Sequence, residues 1–210
     1  MNNYSSAALD CNKAIDLDKK NAAAYYNRGL VYLNTEKYQL AIEDFNIAIR
    51  LKSDYAEAYS FRGVTYGNLE KYDIALNDLN KSVEINSNIG MTYYNRGVIY
   101  GYLNKLDLEL ADYNKALKLD KSIAEAYYNR GLIKGKDKED YKGAIEDFTF
   151  ALNINPKDIK ILLNRGYANL LIGNYDSAIK DYKKVLEIDK DNEKAKNKLK
   201  EIDEFLKTHK

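Results

Sequence analysis

A short signature recurs through this chain at nearly constant spacing. Asn27-Arg28-Gly29 is followed by Phe61-Arg62-Gly63, Asn95-Arg96-Gly97, Asn129-Arg130-Gly131 and Asn164-Arg165-Gly166, at steps of 34, 34, 34 and 35 residues. A period of this length restricts the chain to architectures in which one small supersecondary unit stacks on copies of itself. The stretch from Ala22 to Tyr55 shows what is stacked. Tyr25, Gly29 and Tyr32 fall at i, i+4 and i+7 on one helical face, and Asn34 to Lys37 then breaks the pattern. Tyr38, Ala41, Ile42, Phe45, Ala48 and Ile49 resume it as a broad apolar stripe on a second helix. Two such helices make a hairpin with one apolar side, which so short a segment cannot bury without neighbours.

The signature sets full units at 22–55, 56–89, 90–123, 124–158 and 159–192. Residues 4–21 match only the second helix of a unit, with Ala7, Cys11 and Ala14 on its apolar face. After Asn192, Ala195, Leu199, Ile202 and Leu206 mark i, i+4, i+7 and i+11 of a last helix, 193–210, whose other face is Lys and Glu; it reads as a cap. Because a solenoid grows by stacking, residues 1–210 are expected to form one domain.

Within the unit frame, position 4 is Tyr25, Tyr59, Tyr93 and Tyr127, then Leu162; position 8 is always Gly; position 20 is Ala41, Ala75, Ala144 and Ala178. The period and these residues resemble the tetratricopeptide repeat family. The resemblance implies an all-α, right-handed superhelical solenoid of helix-turn-helix hairpins: a half repeat, five full repeats and a C-terminal capping helix. The recurrent glycine has a physical reading, since Gly costs about 1 kcal/mol in a helix relative to Ala and its retention implies closely approaching backbones.

Composition excludes several functions. Lys and Arg total 33 against 32 acids, so no strong field gathers phosphate backbones, and nucleic acid is not expected as a partner. No apolar run approaches the length of a membrane span, so no membrane insertion is expected. The start lacks a basic segment followed by an apolar core, which points to a cytoplasmic chain. Cys11 is the one cysteine and occupies a core-facing slot. The one histidine, His209, is nearly two hundred residues from it in sequence, which leaves no nucleophile and base pair; no zinc spacing or calcium loop occurs. Gly131 and Gly135 lie in a helical stretch, and Lys136 precedes Asp rather than Ser or Thr, unlike a phosphate loop. No enzyme activity, metal or cofactor is expected.

Departures from the repeat pattern locate special places. Glu109 replaces Ala at position 20 and has to reach solvent or a cation, with local widening of its hairpin as one outcome; Ser82 replaces Ala at position 27. The turn 136–140 is one residue longer than the others and wholly charged, suited to solvation or to a contact. The half repeat leaves an apolar edge that a preceding helix would cover, a candidate surface for self-association.

What remains is recognition. In the resembling family the first helices line a concave face, with positions 2, 5, 6, 9, 12 and 13 pointing into the groove. Position 6 gives Asn27, Asn95, Asn129 and Asn164, interrupted by Phe61; Tyr26, Tyr94 and Tyr128 stand at position 5, Tyr167 at position 9 and Lys160 at position 2. Asn offers two donors and one acceptor, which match the backbone of an extended peptide, and Tyr supplies rigid contact area. The amides could equally solvate the face or bridge adjacent helices. The arrangement that clamps chaperone tails fits poorly: of Tyr94, Val98, Asn129, Lys160 and Asn164 in the best frame, only Asn129 and Lys160 match. The expected function is therefore a scaffold that holds a peptide segment or helix of another protein. The alternatives are the recognition arm of a larger enzyme and a self-assembling repeat protein.

A further regularity departs from the family. Position 7 is Arg28, Arg62, Arg96, Arg130 and Arg165, and position 23 is Asp44, Asp78, Asp112, Asp147 and Asp181. In an antiparallel hairpin these positions lie opposite, so each Arg is expected to fork onto the Asp of its own unit. Asp10, in the half unit without such an Arg, leaves open a reach back to the preceding unit.

Overall fold

The computed structural model describes residues 2–137 and 139–208, with side chains from Tyr4 onward. Among the described residues there are twelve helices and no strand, so the protein is an all-α repeat solenoid. They fall into two compact units, Met1–Leu119 and Asp120–Lys210. The first holds α1 (Asn2–Leu17) and the hairpins α2 (Ala22–Asn34) with α3 (Tyr38–Leu51), α4 (Ala56–Asn68) with α5 (Tyr72–Ile85), and α6 (Gly90–Tyr102) with α7 (Leu106–Leu119). The second holds α8 (Ala124–Lys136) with α9 (Tyr141–Ile154), α10 (Ile159–Leu171) with α11 (Tyr175–Ile188), and α12 (Glu193–Thr208).

Each hairpin turns through one residue of left-handed backbone: Glu36, Glu70, Asn104, Glu139 and Gly173, with φ between 52° and 74°. That residue lets the chain fold back so that Lys37 N–H donates to Tyr32 O at 2.8 Å, Lys71 to Tyr66 and Lys105 to Tyr100 at 2.9 Å, and Asn174 to Asn169 at 2.8 Å. These are six-to-one closures of the kind that satisfy a helix's last carbonyls. In the longer fourth turn the matching bond spans one more residue, from Asp140 N–H to Lys134 O; Lys138 of that turn lies outside the described residues, as does His209. The Asp140 carboxylate also caps α9 through Gly143 N–H at 2.9 Å.

The two helices of a hairpin meet where the repeated glycine faces position 24 of its partner. A methyl at Gly29 would stand 2.7 Å from the Phe45 ring, and one at Gly97 equally close to the Tyr113 ring. Phe45, Leu79, Tyr113, Phe148 and Tyr182 occupy that slot on α3, α5, α7, α9 and α11 and are all buried. Their burial against backbone rather than side chain is what the glycines make possible.

The departures find local solutions. Glu109 is half-buried; its carboxylate lies over Gly101, where a Cβ would come within 2.8 Å of Oε1, and accepts from Tyr113 Oη at 3.1 Å. Ser82 is fully buried in a chain of hydroxyls: its Oγ bonds Thr92 Oγ1 at 3.2 Å, Thr92 donates to Ser60 Oγ at 3.3 Å, and Asn95 Nδ2 reaches the same Ser60 at 3.4 Å. The polar side chains of these two adjoining repeats thereby satisfy one another. Cys11 is half-buried rather than sealed in a core, on a helix that packs against α2, and Leu9 and Leu17 of α1 are exposed. At the other end Ala195 and Ile202 of α12 are buried, and Phe205 leans on Tyr175 at 5.2 Å between ring centroids.

Candidate functional site

The guanidinium at position 7 is held from several sides. Arg96 Nε and Nη2 donate to the two carboxylate oxygens of Asp112 at 2.7 and 2.8 Å. The same fork joins Arg28 to Asp44, Arg62 to Asp78, Arg130 to Asp147 and Arg165 to Asp181, at 2.6 to 2.9 Å. The pair therefore lies within one hairpin. The guanidinium also reaches back: Nη1 of Arg28, Arg62 and Arg96 donates to Asn12, Asn46 and Asn80, and Nη1 of Arg165 to Thr149. Each of these acceptors sits two residues after an Asp at position 23, on the second helix of the preceding repeat. Tyrosines flank the cation, Tyr93 at 5.4 Å and Tyr100 at 5.8 Å from Arg96. The hydrogen bond to Asp112 pushes the Arg96 pKa above its ordinary value, against the opposing effect of burial. In the fourth repeat Lys134 stands where Tyr32 and Tyr100 stand in theirs, and it adds a second cation to Asp147 at 3.0 Å.

The face of the first helices differs between the two units. In Met1–Leu119, Tyr26 is half-buried among Phe45, Tyr55 and Phe61, with ring centroids at 6.1, 5.0 and 6.0 Å. Burial, seconded by Tyr55 and Glu57, pushes its hydroxyl up to about 12. Tyr94 leans on Tyr113 in the same way at 5.9 Å. Asn27 is exposed, whereas Asn95 is half-buried and bonded to Ser60 on the neighbouring first helix.

In Asp120–Lys210, the first helices α8 and α10 and the last helix α12 enclose an open groove of about 610 Å³. Its lining includes Tyr128, Lys160, Asn164 and Tyr167, four residues singled out above, together with Lys194 and Lys198 of α12. Asn164 Nδ2 bridges the two first helices, donating to Tyr128 Oη at 3.1 Å and to Lys160 O at 2.9 Å. Burial raises the Tyr128 pKa, which the bond from Asn164 partly opposes. On the far side of Asn164 and Tyr167 lies an apolar hollow of about 380 Å³, lined by Leu132, Ala144, Phe148, Ala168 and Leu171. Asn129 is half-buried and is not part of either lining. Among the described residues no group of three His, Cys, Asp or Glu stands close enough to hold a metal ion, and no helix is long and apolar enough to cross a membrane.

Two sets of residues escaped the sequence reading. Asn12, Asn46, Asn80 and Thr149 recur with the period, which was the available signal. The α12 lysines occur once and carried no such signal.

Hairpins of this length, with a glycine under an aromatic ring in repeat after repeat, define a helical-repeat protein. Profiles described as tetratricopeptide repeat match residues 22–55 and 159–192 and, in a second variant, 56–89, 92–123 and 124–158. The chain belongs to the tetratricopeptide repeat family. The Meiotically up-regulated gene 93 protein of Schizosaccharomyces pombe is 38% identical over 68 residues, which is 31% of this chain and 18% of that protein. The match thus covers under a fifth of that relative's length. Among solved structures, pilF of Pseudomonas aeruginosa superposes with a TM-score of 0.81 at 16% identity, covering 95% of this chain and 90% of that one. YrrB, described as a TPR protein with an unusual peptide-binding site, gives 0.66 at 23% identity over 92% of this chain and 100% of that one. At these identities the likeness is one of fold.

Proposed function

We propose that the chain is a protein-interaction scaffold that binds an extended segment of another protein along the face of its first helices. The groove of Asp120–Lys210 carries this reading: half-exposed Tyr167, exposed Lys160, and the Asn164 and Tyr128 pair converge on one open channel. Rigid aromatic surface beside an anchored amide suits a peptide backbone. A groove lined mainly by tyrosine, lysine and amide side chains can hold and orient a segment. The peptide-binding site named for YrrB supports the same reading.

The test is peptide selection from a random display library on the immobilised chain, followed by affinity measurement on Asn95→Ala/Asn129→Ala/Asn164→Ala. Groove binding predicts selected peptides whose affinity falls by up to about tenfold in the triple variant, the loss coming from Asn164, the amide in the groove lining, since a lost hydrogen bond contributes roughly 0.5–1.5 kcal/mol. Equal affinity, with a lowered melting temperature, would assign the amides to bridging helices, the role that Asn95 with Ser60 and Asn164 with Tyr128 already display.

A second reading rests on α1, where Leu9 is 60% and Leu17 is 90% exposed. Self-association through this apolar surface predicts a mass that rises with concentration in light scattering and returns to the monomer in Leu9→Lys/Leu17→Lys.

A further inference from the structure

The groove between α8, α10 and α12 has a wall that no repeat supplies. Lys194 and Lys198 come from α12 and face Lys160 of α10, while the single carboxylate in the lining, Glu201, leaves an excess of two positive charges. Glu201 is moreover bonded to Lys198 Nζ at 2.6 Å. The chain as a whole carries a formal charge of only +1, so this concentration of cations is local. The floor between the lysines is aromatic: Tyr167 is 50% exposed, and Lys198 Nζ stands 6.0 Å from its ring centroid. Tyr167 and Asn164 form the sill between this basic groove and the apolar hollow of α8, α9 and α10. Gly135 lines the hollow without a side chain, and a Cβ there would meet nothing nearer than Ala144 Cβ at 3.4 Å.

Resting on the groove reading above, we propose that this composite site takes an extended segment of a partner protein in which acidic side chains adjoin a large apolar residue. The carboxylates face Lys160, Lys194 and Lys198, and the apolar side chain crosses Tyr167 into the hollow. On this account α12 closes the last hairpin and is also half of a binding site.

The probe is a fluorescent, C-terminally amidated peptide with a Glu-Glu-Phe core between Gly-Ser arms, read by anisotropy against Gln-Gln-Phe and Glu-Glu-Ala versions. The intact chain is expected to bind the first at least roughly tenfold more tightly than either control, with an advantage over Gln-Gln-Phe that shrinks as salt rises. Lys194→Glu/Lys198→Glu is expected to lose the preference for the acidic probe, and Tyr167→Ala the preference for Phe over Ala. Should the double reversal unfold, Lys194→Gln/Lys198→Gln reports the same loss. Failure of the intact chain to bind the probe, or unchanged affinity in either lysine variant, would overturn the proposal. Peptides from the library that weaken in the asparagine triple variant but ignore Lys194→Glu/Lys198→Glu would overturn this inference and leave the groove reading standing. Peptides indifferent to both variants would overturn both.

Discussion

Cutting one guanidinium fork tests whether the repeated Arg and Asp hold the hairpins. Arg96 is the suitable target, being paired with Asp112 and tied back to Asn80 at 2.8 Å within one compact unit. The side chains are 17% and 8% exposed, so Arg96→Ala strands a carboxylate that water scarcely reaches. Loss of one member of such a pair costs about 3–5 kcal/mol. For a chain of this size that corresponds to a fall of roughly 6–20 °C in melting temperature, at about 2–4 °C per kcal/mol. Asp112→Ala strands the cation instead and is expected to cost a similar amount. The double variant then falls short of the sum by about 2–3 kcal/mol, the coupling expected of side chains in direct contact. Arg96→Lys restores charge without the fork or the bond to Asn80 and is expected to fall between the wild type and Arg96→Ala. Urea unfolding followed by circular dichroism supplies the energies, and hydrogen exchange shows whether the loss centres on α6 and α7, as nearest-neighbour stacking requires. Additivity within roughly 0.5 kcal/mol would refute the account of the pair.

Gly97→Ala places a methyl 2.7 Å from the Tyr113 ring and is expected to destabilise by about 1–3 kcal/mol, whereas Gly135→Ala, with its nearest neighbour at 3.4 Å, is expected to be neutral or to stabilise by up to about 1 kcal/mol; thermal melts of the two decide. Thr92→Val leaves Ser82 and Ser60 without their shared partner and is expected to cost about 1–3 kcal/mol in urea unfolding, more than Thr35→Val at the half-buried C-cap of α2. Tyr26 ionises in the folded state only at about 12, above its ordinary 10.0. The raised value means its contribution to stability is intact below about pH 10 and is lost as pH climbs toward 12, so Tyr26→Phe flattens alkaline unfolding over that window.

Much of this was legible because the chain repeats itself. A residue that recurs at a fixed step in every hairpin, as Gly29, Arg28 and Asp44 do, identifies a contact made in every hairpin, and antiparallel geometry places positions 7 and 23 opposite one another. The reach of Nη1 to Asn46 and Asn80 recurs as faithfully, but an amide on an exposed stretch of helix reads as a solvated face until the third helix is in view. Singular solutions left less trace. Glu109 is accommodated by Gly101 on the opposite helix, and Ser82 by Thr92 ten residues away, pairs that have meaning only once the helices are packed. The groove shows the same division. Tyr128, Asn164, Lys160 and Tyr167 follow from the repeat frame, whereas Lys194 and Lys198 belong to a helix outside it.

The two asparagine ladders occupy different helices, which makes their side-chain amides a direct reporter of where a partner lies. Asn95, Asn129 and Asn164 belong to the first helices, and Asn46 and Asn80 to the second. With Asn selectively labelled, nuclear magnetic resonance follows these groups as a library-selected peptide is added. Binding in the groove of the first helices predicts that the signal of Asn164 moves while those of Asn46 and Asn80 stay. Movement confined to Asn46 and Asn80 would contradict it.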